Sequence, residues 1–168
     1  MRKPKRITLI LCTMMFFQVN AQQDTLKSTR DSIELVKKTL REHGEVQSAA
    51  VGFHGKASMQ YHGFLYLLER LSHEELYRLT FDSSACIRVY AYAALLYCRS
   101  SKAKEAKARL GKDTAGLKSF VGCGYGNTTV AKSVINISRV YQRKGVDYFL
   151  KKDRYQLEAW RKKLFAGW

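Results

Sequence analysis

The chain has 168 residues, with 30 Lys+Arg against 14 Asp+Glu and a formal net charge of +16 at pH 7. That length suits one domain, and an apolar share of 46% is enough to build a core. Ten Tyr, eight Phe and two Trp argue against disorder, and the absence of a Gly period, a sustained heptad or a second long apolar run excludes collagen, coiled coil and a multi-span membrane protein.

Arg2, Lys3, Lys5 and Arg6 open the chain, the apolar run Ile7 to Phe17 follows, and Gln18-Val19-Asn20-Ala21 closes the segment. A positive end, a short apolar core and small or aliphatic residues at −3 and −1 are the order of a secretory signal, with cleavage expected between Ala21 and Gln22. The apolar run rises only ~16 Å as a helix, about half of a bilayer core, which argues against an uncleaved anchor. A lipid anchor on Cys12 is rejected too, because Leu11 stands where a lipobox needs a small residue. The expected product is exported, periplasmic or secreted, with residues 22–168 forming a single helical domain. Loss of the leader removes four cations and no acid, so the net charge falls only to about +12, which favours anionic surfaces. In the envelope those are lipid headgroups, lipopolysaccharide, peptidoglycan-linked acids or an acidic protein; nucleic acid is badly placed there.

Cys86, Cys98 and Cys123 remain, in a compartment that permits disulfides. On one straight helix Cys86 and Cys98 would be ~18 Å apart, whereas a disulfide needs Cα atoms within about 7 Å. Cys123 can bridge to either, with Cys98 nearer the following loop and therefore preferred. Three buried free thiols acting as small apolar residues are the equal alternative.

Along the mature chain, Leu26, Ile33, Val36 and Leu40 mark one face of a helix ended by His43-Gly44. Glu45 to Lys56, with Gly52 and Gly55, reads as a loop. Ser58 caps a helix carrying Tyr61, Phe64, Leu65, Leu68 and Leu71. Ser72-His73-Glu74-Glu75 is a capping box, in which the Ser72 oxygen serves the N3 amide and Glu75 reaches back. Leu76 and Leu79 continue that short helix, Asp82-Ser83-Ser84 makes a turn, and Ala85 to Cys98 runs back with Ile87, Ala91, Ala94 and Leu95 on one side. A tight hairpin of two helices over about residues 72–98 is the expected product.

Lys102 to Leu110 is short and basic, and Gly111-Lys112-Asp113 breaks it. Leu117 to Tyr125 reads as irregular or briefly extended. Asn127 or Thr128 caps a helix with Val130, Val134 and Ile137, and Asp153-Arg154-Tyr155-Gln156 opens a last one with Leu157, Trp160 and Leu164 on one face.

In Asp82, Ile87-Arg88, Ala91 and Ala94-Leu95, preceded by Leu76 and Leu79, the hairpin resembles a HEAT-like repeat, across roughly Ser58 to Ser100. The wider layout is similar to small secreted bacterial proteins that carry such a segment. The resemblance implies an all-α fold: short helical hairpins stacked in a right-handed HEAT-like arrangement, with terminal helices as caps. It also implies that Asp82 and Arg88 stabilise the turn and the stacking. No second copy recurs at a fixed period, so flanking helices would have to cap the unit.

Several patterns touch on chemistry. Phe120 to Asn127 is Gly-rich ahead of a helix, but its G-x-G-x-G spacing matches neither a dinucleotide fingerprint nor a P-loop, so no cofactor is expected. Cys123, lowered in pKa by a nearby His54, His62 or His73, would make a small envelope hydrolase, the alternative function. Those histidines lack the close pairing of a zinc site, and no metal is expected. Among Glu69, Glu74, Glu75 and Asp82, capping and turn roles outweigh acid–base catalysis. Asp24-Thr25-Leu26, Asp31-Ser32-Ile33 and Asp113-Thr114-Ala115 resemble the acceptor of some bacterial O-glycosylation systems.

The cation runs Arg99 to Arg109, Arg139 to Lys144 and Lys151 to Lys163, interleaved with aromatics, form the leading candidate surface. Lys102, Lys104, Lys107, Arg109, Arg139, Arg143, Lys144 and Trp160 would bind a protein or an anionic envelope component, with peripheral membrane contact compatible and no bond chemistry involved. The expected function is thus a non-enzymatic exported interaction module.

Overall fold

The computed structural model describes residues 27–144, in two units that meet within the first helix, between Leu35 and Val36. The expected leader, Trp160 and the expected capping box at Asp153 lie outside the described residues. Helix α1 spans 27–43; in its first unit, 27–35, Ser32 Oγ donates to the Ser28 carbonyl at 2.8 Å.

The second unit continues with strands β1 (Glu45–Val51) and β2 (Lys56–Ala57), helices α2 (Met59–Arg70), α3 (His73–Leu79), α4 (Ala85–Tyr97) and α5 (Lys102–Leu110), strands β3 (Gly116–Gly122) and β4 (Gly124–Thr129), and helix α6 over 130–144. The four strands form one mixed sheet in the order β2-β1-β3-β4, with β1 and β3 parallel and the outer pairs antiparallel. This overturns the all-α expectation and the stacked HEAT-like arrangement with it. The α3–α4 hairpin forms, yet α4 packs on β1 and β3 as well as on α2, α3 and α5, so a sheet stands where a solenoid would place its next repeat.

The reason lies in α4 itself. Cys86, Ile87, Val89, Tyr90, Ala91, Tyr92, Ala93, Ala94 and Leu95 are all buried, on every side of the helix. A helix apolar all round cannot be satisfied by one neighbouring layer. Here α3 and α5 are among its neighbours, and the sheet supplies the other layer.

From sequence only Leu117 to Tyr125 admits an extended reading, borne out by β3 and the start of β4, because no strand alternates cleanly. β1, Glu-Val-Gln-Ser-Ala-Ala-Val, is half-buried throughout, and its pairing with β3 is interrupted by a register shift between Gln47 and Val51. Ser48 fills the irregularity: its hydroxyl donates to the Ala50 carbonyl at 2.7 Å and accepts from the Gly122 amide at 3.0 Å. Gly52 and Gly55, read as loop, are the turn between β1 and β2, and Val121-Gly122-Cys123-Gly124, read as irregular, is a two-residue hairpin loop. Gly122 has φ 58° at the first central position, the place where a type II′ turn calls for glycine.

Helix ends follow local chemistry. Gly44, at φ 63°, closes α1 in the left-handed conformation, its amide donating to the Leu40 carbonyl. Ser58 caps α2 by accepting from the Tyr61 amide, and its hydroxyl also donates to Gln47 Oε1 at 2.6 Å, tying the helix start to β1. Ser72 and Glu75 close a full capping box on α3. For α6 the cap is Thr129, whose Oγ1 accepts from the Lys132 amide; Asn127 and Thr128, the expected caps, belong to β4.

The turn between α3 and α4 is held by charge. Asp82 accepts from the Ser84 amide at 2.9 Å and pairs with Arg41 through both oxygens, at 3.2 and 2.6 Å. Arg88 donates to the Asp82 and Ser83 carbonyls at 2.7 and 2.9 Å and to Asp113 Oδ2 at 2.8 Å, linking the turn to the segment that leads into β3. Asp113 in turn accepts from the Ala115 amide at 3.0 Å.

Both partners of the Arg88–Asp113 pair are largely buried, so Arg88→Met leaves a carboxylate and two carbonyls short of a donor. It should lower unfolding free energy by about 2–3 kcal/mol, read as a fall in urea midpoint at unchanged slope. Burial alone would raise the Asp82 pKa, but the Arg41 hydrogen bond, the Ser84 amide and the charges of Arg41 and Lys37 outweigh it and hold it below the ordinary 3.8. A folded-state pKa below the unfolded one gives stability that is present above the unfolded value and lost as pH falls through the folded one. Wild type should therefore lose stability more steeply than Asp82→Asn on acidification below about pH 4, in urea titrations at stepped pH.

Candidate functional site

The aromatic side chains of α2 and α4 meet over β1. Phe64 stacks on Tyr90 (centroids 5.2 Å, 17° between planes), tilts against Tyr61 (5.3 Å, 56°) and sits edge-on to Tyr97 (5.7 Å, 77°). Offset and edge-to-face pairs of this kind add to the burial of the rings themselves. Tyr90 is anchored to the strand: its hydroxyl accepts from the Gln47 amide at 2.8 Å and donates to the Gln47 carbonyl at 3.3 Å. Burial pushes its phenol pKa up, so it remains a neutral donor. The Tyr61 and Tyr97 hydroxyls are hydrogen-bonded to each other at 3.2 Å.

These rings border a cavity of about 280 Å³, lined also by β1, β3 and α6 through residues such as Val46, Val121, Ile137 and Tyr141. Among the described residues, no charged side chain lines it. Its polar wall residues are already engaged: the Gln47 side chain takes the Ser58 hydroxyl and donates to Glu45, and Ser48 serves the sheet irregularity. The sequence reading missed the cavity. Its legible trace was Tyr61 and Phe64 on the apolar stripe of α2, which periodicity assigns to core.

The expected cation surface is divided. Lys102 lies 4.9 Å from the centroid of the Tyr77 ring, and Arg109 stacks 3.6 Å over Phe81 while donating to the Thr80 carbonyl at 2.9 Å. Both therefore clamp α5 onto the α3 end of the hairpin, with Tyr77 also donating to Glu105. Lys104, Arg139, Arg143 and Lys144 are exposed, and Lys107 is half-buried.

The cysteines stand apart as free thiols, Cys86 buried, Cys98 half-buried at the end of α4, and Cys123 exposed at the β3–β4 tip. Burial, with the Glu45 carboxylate adding to it, pushes the Cys86 thiol up to about 12, and burial also raises Cys98. His54 is exposed on the β1–β2 turn, which joins the Cys123 tip through a Gly52 amide to Gly122 carbonyl bond of 2.8 Å. His62 is buried in α2, where desolvation lowers its pKa and keeps it neutral at pH 7, and His73 opens α3. Glu69 and Glu74 pair with Arg70 and Arg78, while Glu75 and Asp82 serve the cap and the turn. Among the described residues, no three His, Cys, Asp or Glu side chains converge as a metal site, and no helix is long and apolar enough to cross a membrane.

No protein-family model matches this chain, and no curated protein resembles it at a significant level.

The thiols differ in access, from buried Cys86 through half-buried Cys98 to exposed Cys123. In native protein, Ellman's reagent should label Cys123 first and Cys98 more slowly, with Cys86 reacting only on unfolding. Rapid labelling of Cys86 without denaturant would contradict its burial.

Proposed function

We propose that the chain is a non-enzymatic interaction module that binds an acidic protein or an anionic envelope component through cations of α5 and α6. The observation that carries this reading is where the acids go. Glu42, Glu69 and Glu74 pair with neighbouring cations, Asp82 and Asp113 hold the helix turn, Glu75 closes a cap, Glu105 receives Tyr77, and Glu45 receives Gln47. Most of the acids thus serve the fold's own contacts. Helix α6 carries Lys132, Arg139, Arg143 and Lys144 with no acid over 130–144. Among the described residues, Lys104, Lys107, Lys132, Arg139 and Arg143 form no ion pair.

An excess of one sign attracts polyanions over distances up to the screening length, about 8–10 Å at ordinary salt. The contacts with Tyr77, Phe81 and Thr80 take Lys102 and Arg109 out of that surface, leaving Lys104, Lys107, Arg139, Arg143 and Lys144 as its working members. The leader-like start of the sequence supports an exported setting, where headgroups and acidic polymers are the abundant anions.

Binding to vesicles with one-third anionic lipid, and retention on heparin, should both weaken steeply with added salt. The triple variant Lys104→Ala, Arg139→Ala, Arg143→Ala should bind such vesicles roughly a hundredfold more weakly, at about 1 kcal/mol per cation, with its thermal midpoint unchanged. Salt-insensitive retention, or a variant that binds as wild type does, would remove the reading.

A further inference from the structure

We propose that the cavity between the sheet and helices α2, α4 and α6 is a binding site for a small neutral aromatic molecule of one or two rings with a single hydrogen-bonding group. The proposal stands on the interior of the molecule and is independent of the cationic surface.

Size sets the first limit. An apolar cavity of about 150 Å³ takes a benzene molecule. The cavity here is about 280 Å³, so by proportion it holds roughly ten to twelve non-hydrogen atoms, the size of a fused bicycle. It is partly open, which gives such a molecule a way in.

Wall chemistry sets the second. Phe64, Tyr61 and Tyr97 already meet face and edge at centroid distances of 5.3 to 5.7 Å. A flat ring entering beside them extends the same arrangement, and Val46 and Ile137 offer aliphatic contact on the opposite walls. A charged ligand would lose its hydration against described lining residues that offer no countercharge, so the occupant is neutral.

The polar contact is the third limit. With Gln47 and Ser48 committed to neighbouring groups, tyrosine hydroxyls are the polar lining a ligand can meet: the Tyr61–Tyr97 pair, bonded to each other, and Tyr141. A phenol oxygen both donates and accepts, so the pair can receive one N–H or O–H from the ring system.

Indole, 1-methylindole and indole-3-carboxylate share one bicycle and differ in donor and charge. Titrated into the full chain by calorimetry, indole should bind one-to-one with a dissociation constant below about 1 mM, in reach of a ligand this small. Removing the donor in 1-methylindole should weaken binding about fivefold, and the carboxylate should bind at least tenfold more weakly than indole. Ala93→Leu, which fills the cavity from α4, should reduce indole binding at least tenfold while helical circular dichroism is retained; if that variant fails to fold, Ile137→Phe fills it from α6. Absence of saturable indole binding, equal binding of the carboxylate, or indole binding unchanged in the folded, cavity-filled variant would each overturn the proposal.

Discussion

Burying α4 on all sides is the constraint on which this structure depends. A thirteen-residue helix with nine buried positions cannot lie on a surface, because any face left open would put Ile87, Tyr90, Tyr92 or Leu95 into water. Two layers are therefore needed, one of helices and one of strands. The parallel pairing of β1 with β3 follows from that need. The chain leaves β1, runs through β2 and the four helices α2 to α5, and returns beside β1, so that α4 ends up against both strands. The contacts that steer the path are few and specific: Ser58 ties α2 to Gln47, Tyr90 ties α4 to β1, and Arg88 joins the α3–α4 turn to Asp113 just ahead of β3.

The same economy of contacts explains the cationic helix and the cavity. Acids are placed where the fold needs anions, at a cap, at the turn and beside neighbouring cations, and α6 is left with cations alone. Aromatic residues are placed where three elements converge. The rings pack on one another and are pinned by the Gln47–Tyr90 and Tyr61–Tyr97 hydrogen bonds, and the cavity lies beside them, against β1, β3 and α6. Polar surface and apolar interior are thus separate features of the chain, each arising from residues whose neighbours are already fixed.

Much of the helical structure was legible because helix ends carry local signals. Gly44, Ser58 and the Ser72–Glu75 box act over four residues or fewer and need no tertiary context. The strands were not legible for the opposite reason. Glu45 to Val51 becomes a strand only because Gly116 to Gly122, some seventy residues on, pairs with it, and its small, mixed side chains show no alternation. The signal that argued for a sheet was present in another place: α4 is apolar around its whole circumference, which a stack of two-helix repeats with an outer face does not require. The Gly122-Cys123 turn was a second missed signal, since glycine at the first position of a two-residue loop favours a hairpin. For the site, cations could be named from the sequence, but Lys102 and Arg109 turned out to clamp α5, because aromatic partners on α3 become visible only once the helices pack. The cavity needed the strands and so lay out of reach.

The central claim is that α4 and the β1–β3 pair form one cooperative core. Native-state hydrogen exchange measured amide by amide addresses it directly. The account predicts that amides in the middle of α4 and those bonded between β1 and β3 fall in the same slowest class and open only with the whole molecule. Strand amides that exchange within seconds while α4 stays protected would show that the helix is buried by something other than this sheet.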